Sequence, residues 1–261
     1  MSLPELTTVE YELTDGVATV TLNRPEKFNS FTRTMVDEFE LIWREVREDD
    51  DVRVVVLRAN GEKAFCTGID IREGAWWRDT PVFHQEDPGA ILGPKSQKVW
   101  KPVITAVHGM AAGGAFYWLN ESDIIVCSED ATFFDPHASG GMVSSLEPIG
   151  LLRRGVPLGD VLRWALLGNE ERLTAKTALR LGIVTEVVPR DELWKHADSL
   201  AHEIASRRPQ AIQGTVRAIW ESLDLPPTVA KRMGLSYTQL GNIGDGAHHP
   251  AKAERPAPRF R

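Results

Sequence analysis

Apolar and polar positions alternate at the start of the chain. In residues 9–13 (Val-Glu-Tyr-Glu-Leu) and 17–22 (Val-Ala-Thr-Val-Thr-Leu) they exchange at nearly every step, with Thr14-Asp15-Gly16 between the two runs. That pattern predicts a β-hairpin. Residues 23–30 (Asn-Arg-Pro-Glu-Lys-Phe-Asn-Ser) interrupt it and read as a loop. From 33 to 48 the spacing becomes helical. Met35, Phe39, Ile42, Trp43 and Val46 share one face, and Thr32 stands where an N-cap belongs. Residues 53–57 (Arg-Val-Val-Val-Leu) read as a strand buried on both faces, and Ala59-Asn60-Gly61 ends it.

Residues 64–71 (Ala-Phe-Cys-Thr-Gly-Ile-Asp-Ile) predict a short extended segment and a turn. Residues 72–94 mix Trp, Pro, Gly and charge with no period and read as a mobile loop, with a helix expected over 91–100. Strands are predicted at 102–107, 123–127 and 131–134, and a helix from 115 to 119. Strands alternating with helices predict a parallel β/α core. Beyond residue 145 the pattern turns helical, over 160–167, 174–181, 191–207, 209–222 and 228–240, with one more strand at 183–188 after Gly182. The division expected is a core over 1–195 and a C-terminal helical region with tail over 196–261, where weak order is expected from 241 onward.

Composition narrows the partners. With 261 residues, 42% of them hydrophobic, the chain is long enough for a large core. A net charge of −7 and the lack of a basic stripe or zinc-finger spacing argue against nucleic acid. The basic tail (Lys252, Arg255, Arg259, Arg261) reads as a solvated segment. Two cysteines, Cys66 and Cys127, make neither a disulfide framework nor a metal site. Residues 1–6 lack the features of a signal peptide, and no apolar run approaches the roughly 20 residues that span a bilayer. A soluble, cytoplasmic protein is the expectation. Trp76-Trp77, in the irregular segment, suits a wall for an apolar substrate or a satellite cluster.

The chemistry concentrates in residues 108–117 (His-Gly-Met-Ala-Ala-Gly-Gly-Ala-Phe-Tyr). A strand that ends in small residues and turns into a helix leaves backbone N–H groups uncovered, with the positive end of the helix dipole behind them. Such a turn stabilises a negative oxygen, and glycine lets a ligand approach the backbone. A tight turn that needs small residues only for packing has the same pattern.

Taken in order, Asn23-Arg24-Pro25 and Asn29-Ser30, then residues 64–71, residues 108–114, Ser122-Asp123-Ile124-Ile125-Val126 and Ala131-Thr132-Phe133 resemble the crotonase, or enoyl-CoA hydratase/isomerase, family. Residues 173–189 resemble its next landmark. The resemblance implies an α/β fold, a superhelix of stacked ββα turns, with a C-terminal helical trimerisation region. It implies an acyl-CoA substrate, no metal or redox cofactor beyond the coenzyme A of the thioester itself, and a homotrimer or a hexamer built as a dimer of trimers. It places an oxyanion hole on the N–H groups of Ile69 and Gly114, and a coenzyme A surface on Lys27, Phe28, Thr67, Gly68 and Asp70.

The chain departs from the family's pattern at the acid/base positions. Hydratases of the family carry a glutamate three residues after the oxyanion glycine, where this chain has Tyr117, and another after the proline that follows the Ala-x-Phe strand, where it has His137. Tyrosine is a weak base near neutral pH, whereas histidine titrates there. His137 is therefore the expected proton-transfer residue, with Glu147 or Asp135 as its carboxylate partner. Tyr117 is a hydrogen-bond donor or a wall of the acyl pocket. Trp76, Trp77, Phe83 and Trp118 suggest an apolar pocket, and His84 is a candidate to approach the acyl group. His108, His196, His202 and the terminal His248-His249 read as structural or surface residues. The expected function is acyl-CoA chemistry through a thioester enolate. A C–C bond hydrolase acting on a β-keto substrate and a non-catalytic acyl-CoA-binding protein stand as alternatives.

Overall fold

A computed structural model describes residues 3–241. In chain order the elements are β1 (Val9–Thr14), β2 (Val17–Leu22), α1 (Arg33–Glu48), β3 (Val54–Ala59), β4 (Ala64–Cys66), α2 (Gly89–Leu92), β5 (Val103–Val107), β6 (Met110–Ala112), α3 (Phe116–Glu121), β7 (Ile124–Ser128) and β8 (Thr132–Phe134). Then follow α4 (Leu146–Arg153), α5 (Leu158–Leu167), β9 (Leu173–Thr174), α6 (Ala175–Leu181), β10 (Glu186–Val188), α7 (Leu193–Ala205), α8 (Pro209–Ser222) and α9 (Pro227–Gly241).

The strands form two sheets. The larger has the order β1-β2-β3-β5-β7-β10, antiparallel only in the β1–β2 hairpin, and the smaller has the order β4-β6-β8-β9. Each of β3, β5 and β7 is followed at once by a strand of the smaller sheet, so every repeat of the chain adds one strand to each. The side-chain period of two explains why these strands are apolar throughout. Val55, Leu57, Val103, Val107, Ile125 and Cys127 join the main core with α1 and α3. Val54, Val56, Ile104, Ala106 and Val126 face the other way, onto Leu193, Ala197, Ala201 and Ala205 of α7. The boundary expected at 195/196 therefore runs through a helix that belongs to the core.

α1 matches its expected bounds, and the Thr32 hydroxyl accepts the Met35 N–H at 3.2 Å. Its apolar face is fully buried, and Glu38 beside it is buried as well. That carboxylate accepts the N–H groups of Thr7 and Thr8 at 2.6 and 3.0 Å and both of their hydroxyls, which anchors the start of the chain. Asp123 anchors the other end. Its Oδ2 accepts the Lys95 ammonium and the Val103 N–H, each at 2.7 Å, and its Oδ1 accepts Trp220 Nε1 of α8 at 2.6 Å. No side chain of α8 or α9 is buried, and the two helices enclose a groove of about 440 Å³ between them.

Three expectations need correction. Helix over 91–100 shrinks to α2, which Gly93 and Pro94 end after a single turn. The segment before it holds two short 3₁₀ turns, Trp76–Asp79 and Val82–His84. α4 was not expected, because Pro148 and Gly150 mask its period, yet Pro fits the first turn of a helix. No described helix is long and apolar enough to cross a membrane. Lys252, Arg255, Arg259, Arg261, His248 and His249 lie outside the described residues.

His108, at the end of β5, is 1% exposed. Burial, with the charge of Arg190 nearby, pushes its pKa down from 6.5 to about 4. Above pH 6.5 the residue is neutral in both states and adds no pH dependence. As pH falls toward 4 the unfolded chain gains a proton that the folded chain does not take up, so stability falls, by on the order of 3 kcal/mol across the window. Denaturation of His108→Met across pH 7 to 4 is expected to give a flatter stability curve than the parent protein. Parallel curves would contradict this account.

Candidate active site

Backbone geometry brings residues 67–70 and 112–114 together. Asn29 and Phe28 take the left-handed conformation, with φ of 52° each. The buried Asn29 amide donates to the carbonyls of Asn60 and Ala64 at 2.9 and 3.1 Å, and its oxygen accepts the Arg24 N–H at 2.8 Å. This clamps the loop beside β4. Phe31 then pairs with Ile69 as a parallel bridge: its N–H donates to the Gly68 carbonyl and its carbonyl accepts the Asp70 N–H, both at 2.8 Å. Those bonds use the groups on either side of Ile69 and leave the Ile69 N–H on the opposite edge.

Gly68 has φ of +86°, and a Cβ placed there would stand 3.1 Å from Gly114 N and 3.2 Å from Ala112 O. The two segments are thus in backbone contact. Gly114 lies in the 3₁₀ turn Gly113–Ala115 that leads from β6 into α3. A Cβ on Gly114 would meet Phe31 Cε1 at 2.6 Å, so only glycine fits. Among the described residues no backbone carbonyl accepts the Ile69 or the Gly114 N–H.

Side chains converge on that backbone from three elements. β8 delivers Asp135-Pro136-His137, and Asp135 is fully buried. Its Oδ1 lies 2.5 Å from His137 Nδ1 and accepts the His137 backbone N–H at 3.1 Å, while Oδ2 accepts the Ser144 hydroxyl. An ionised carboxylate only accepts, so the Nδ1 proton faces Asp135 and Nε2 faces outward. His137 Cε1 would be 3.7 Å from a Cβ on Gly113, which sets the ring beside the glycine turn. Glu147, in the first turn of α4, points Oε1 to within 3.8 Å of His137 Nε2. That oxygen is buried and has no hydrogen-bond partner among the described residues.

Tyr117 comes from α3, one turn after Gly114. Its ring packs 6.0 Å from that of Phe31, and Glu147 and Asp87 both face its hydroxyl. A Cβ on Gly89 would come within 2.8 Å of Tyr117 Cδ1, so the turn at residues 87–89 lies directly against the ring.

The electrostatics follow from this packing. The hydrogen bond to Asp135 raises the His137 pKa, against burial and with help from the Glu147 charge. Burial pushes the Asp135 carboxyl upward, but the hydrogen bonds from His137 and Ser144 outweigh it and hold the group below the usual carboxylate range. Burial raises Glu147 and so favours its protonated form. Burial, then the charges of Glu147 and Asp87, raises the Tyr117 phenol, which stays protonated and serves as a donor.

His137, Tyr117 and Glu147 are therefore brought together at the glycine turn that carries Gly114, across from Gly68 and Ile69. Asp135, not Glu147, holds His137 Nδ1. Lys27 and Thr67 are half-buried and Phe28 is exposed on the adjoining loop, while Asp70 is ion-paired with Arg24 at 3.1 Å. The expected aromatic pocket does not form as drawn. Trp118 lies in the core against Phe31, Phe39 and Phe65, and Phe83 is 99% exposed. Trp76 and Trp77 stack edge-on at 5.1 Å. His84 is exposed, and His196 bonds Glu186 at 2.8 Å. Two residues escaped the sequence reading. Ser144 gives no signal, but Asp87-Pro88-Gly89 is a helix-start pattern, and the Asp87 carboxylate does accept the Gly89 N–H at 2.8 Å.

Paired sheets, a buried glycine turn and unbonded N–H groups beside a histidine–carboxylate pair are the frame within which the relatives can be weighed. The enoyl-CoA hydratase/isomerase family profile matches residues 12–236, and the chain belongs to that family. It is 34% identical over 259 residues to an (E)-benzylidenesuccinyl-CoA hydratase of Thauera aromatica, covering 97% of this chain and 98% of that one. It is 32% identical to a short-chain-enoyl-CoA hydratase of Clostridium acetobutylicum, with 82% of each covered. Among solved structures, an enoyl-CoA hydratase/isomerase from Mycobacterium paratuberculosis superposes with a TM-score of 0.84 at 33% identity, covering 90% of each chain.

The His137 ring is expected to titrate above 6.5 in the folded protein, and Asp135→Asn is expected to lower its pKa. Proton–nitrogen NMR of the imidazole across pH 5 to 9 reads both. A value at or below 6.5 in the parent protein, or one that Asp135→Asn leaves in place, would contradict the assigned pairing.

Proposed function

We propose that the protein is an acyl-CoA enzyme of the enoyl-CoA hydratase/isomerase type, working through a thioester enolate with His137 as the proton-transfer residue. The observation that supports this is the close approach of Gly68, the residue before Ile69, to the Gly114 nitrogen, near the His137–Asp135 pair, with no backbone carbonyl among the described residues accepting the Ile69 or Gly114 N–H.

The chemistry follows from those groups. A thioester oxygen between the Ile69 and Gly114 N–H groups gains negative charge as the enolate forms. Fixed donors in a water-poor site are worth about 2.7–4 kcal/mol each at that stage. His137, oriented by Asp135, accepts a proton at Nε2, as from a water that attacks the β-carbon of an enoyl thioester. Glu147, favoured in its protonated form, supplies the proton for the α-carbon, and the Tyr117 hydroxyl donates a hydrogen bond without ionising. Lys27, Phe28, Thr67, Gly68 and Asp70 form the coenzyme A side. No metal or redox group enters these steps, and coenzyme A belongs to the substrate. The relatives' names cover both a plain short enoyl chain and a succinyl-type chain with a second carboxylate, so they leave the acyl group open.

A histidine–aspartate pair also suits activation of water toward a carbonyl. This supports, as a second reading, hydrolytic C–C cleavage of a β-keto thioester. A homotrimer or hexamer is part of the proposal, supported by the exposed apolar side chains of Ile219 on α8, Leu223 just after it, and Leu235 and Leu240 on α9, and light scattering is its check.

The test is product analysis with trans-2-enoyl and β-keto thioesters. Water addition to the enoyl substrate is expected, with His137→Ala lowering the rate by about a hundredfold or more. Hydration unchanged in His137→Ala would refute the role of His137, and free acids formed only from β-keto substrates would favour the second reading.

A further inference from the structure

The acyl end of the site carries an unusual charge. Among the described residues, five ionisable groups act on one another beside the glycine turn: Tyr117 from α3, Asp135 and His137 after β8, Glu147 from α4, and Asp87 from the turn ahead of α2. Three of the five are carboxylic groups, and the one among them that can become a cation is His137. The ion pairs that Asp135 and Glu147 make are with that imidazole. Among the described residues no Lys or Arg is paired with Asp87, Asp135 or Glu147. Of the cations on the proposed coenzyme A loop, Arg24 is paired with Asp70 at 3.1 Å and Lys27 ends the turn Pro25–Lys27.

Asp87 has a defined place in this arrangement. The Tyr117 ring meets Gly114 through its Cε2 edge and Gly89 through its Cδ1–Cε1 edge. The Asp87 carboxylate, held by the Gly89 N–H, stands 3.1 Å from the Cβ position of Gly89. It therefore lies across the Tyr117 ring from the glycine that would hold the thioester oxygen. Asp87 shares this space with Tyr117, His137 and Glu147, on each of which its charge acts. Glu147 Oε1, 3.8 Å from His137 Nε2, is buried with no hydrogen-bond partner among the described residues.

We propose that Asp87 sets the charge selectivity of the acyl site, so that the protein takes thioesters whose acyl chain bears no negative charge and turns away those with a second carboxylate. The inference rests on the acyl-CoA reading above and names its substrate class. Its physical basis is repulsion between like charges in a partly desolvated space, which a neutral chain does not meet. His137 does not cancel the repulsion: neutral, it carries no charge, and protonated, it is paired with the Asp135 carboxylate.

Binding of butyryl-CoA and glutaryl-CoA, unreactive thioesters that differ by a terminal carboxylate, tests this by calorimetry without requiring turnover. The expected result is at least tenfold tighter binding of butyryl-CoA. Asp87→Asn should bring the two affinities to within about threefold by improving glutaryl-CoA. Asp87→Ser, which keeps an acceptor for the Gly89 N–H, should act in the same direction if the asparagine variant folds poorly. Asp79→Asn removes an equal charge from the exposed part of the same segment and should leave the ratio as it was. Equal affinities in the parent protein, or a ratio that neither Asp87 variant changes, would overturn the selectivity while leaving the acyl-CoA reading intact. Binding of neither thioester would overturn both.

Discussion

At Gly68 a single methyl group would stand 3.1 Å from the Gly114 nitrogen, and the backbone there has φ of +86°. Sterics and dihedral together exclude other residues from this position. That contact fixes the distance between two loops that leave adjacent strands of the smaller sheet, where Cys66 pairs with Ala111. The Phe31–Ile69 bridge and the Asn29 clamp hold one side, and the ring of Phe31, close against Gly114, holds the other. Each of these bonds contributes only about 1 kcal/mol net. Their value lies in geometry, since donors fixed before the reaction need no reorganisation during it.

Polar groups in the interior fall into two kinds. Glu38, Asp123 and Asn29 are fully engaged, and each ties distant parts of the chain together. The cluster at His137 is different. Asp135 is saturated by His137 and Ser144, but the buried Glu147 Oε1 has no hydrogen-bond partner among the described residues. An unsatisfied buried oxygen costs about 1–3 kcal/mol, and such costs gather where a site is built to meet a ligand. His108 shows the other outcome of burial, a neutral imidazole packed at a strand end, away from the carboxylate cluster.

Much of this was legible in the sequence because it rests on short-range patterns. The hairpin, the amphipathic α1 with its Thr32 cap and the apolar strands follow from periods of two and 3.6 residues, and order among the motifs pointed to the family. The resemblance to the family implies Ile69 and Gly114 and marks the position of His137, and Glu147 follows as a carboxylate ten residues on. What stayed hidden depends on tertiary placement. Asp87 sits in a stretch with no period, and the turn it opens packs through Gly89 against the ring of Tyr117, 30 positions later in the chain than Asp87. Trp118 read as pocket lining because a helix period does not say which face meets the core. The choice between Asp135 and Glu147 for His137 Nδ1 required the geometry of the turn after β8.

Two N–H groups, one on each side of the Gly68 contact, and one histidine beside them make up the account's central claim. A crystal structure with acetoacetyl-CoA, whose enolate form mimics the charged intermediate, tests it most directly. The account predicts the thioester oxygen within about 3 Å of both Ile69 N and Gly114 N, with His137 Nε2 facing the acyl carbons. A thioester bound elsewhere, or one whose oxygen meets neither N–H, would contradict it.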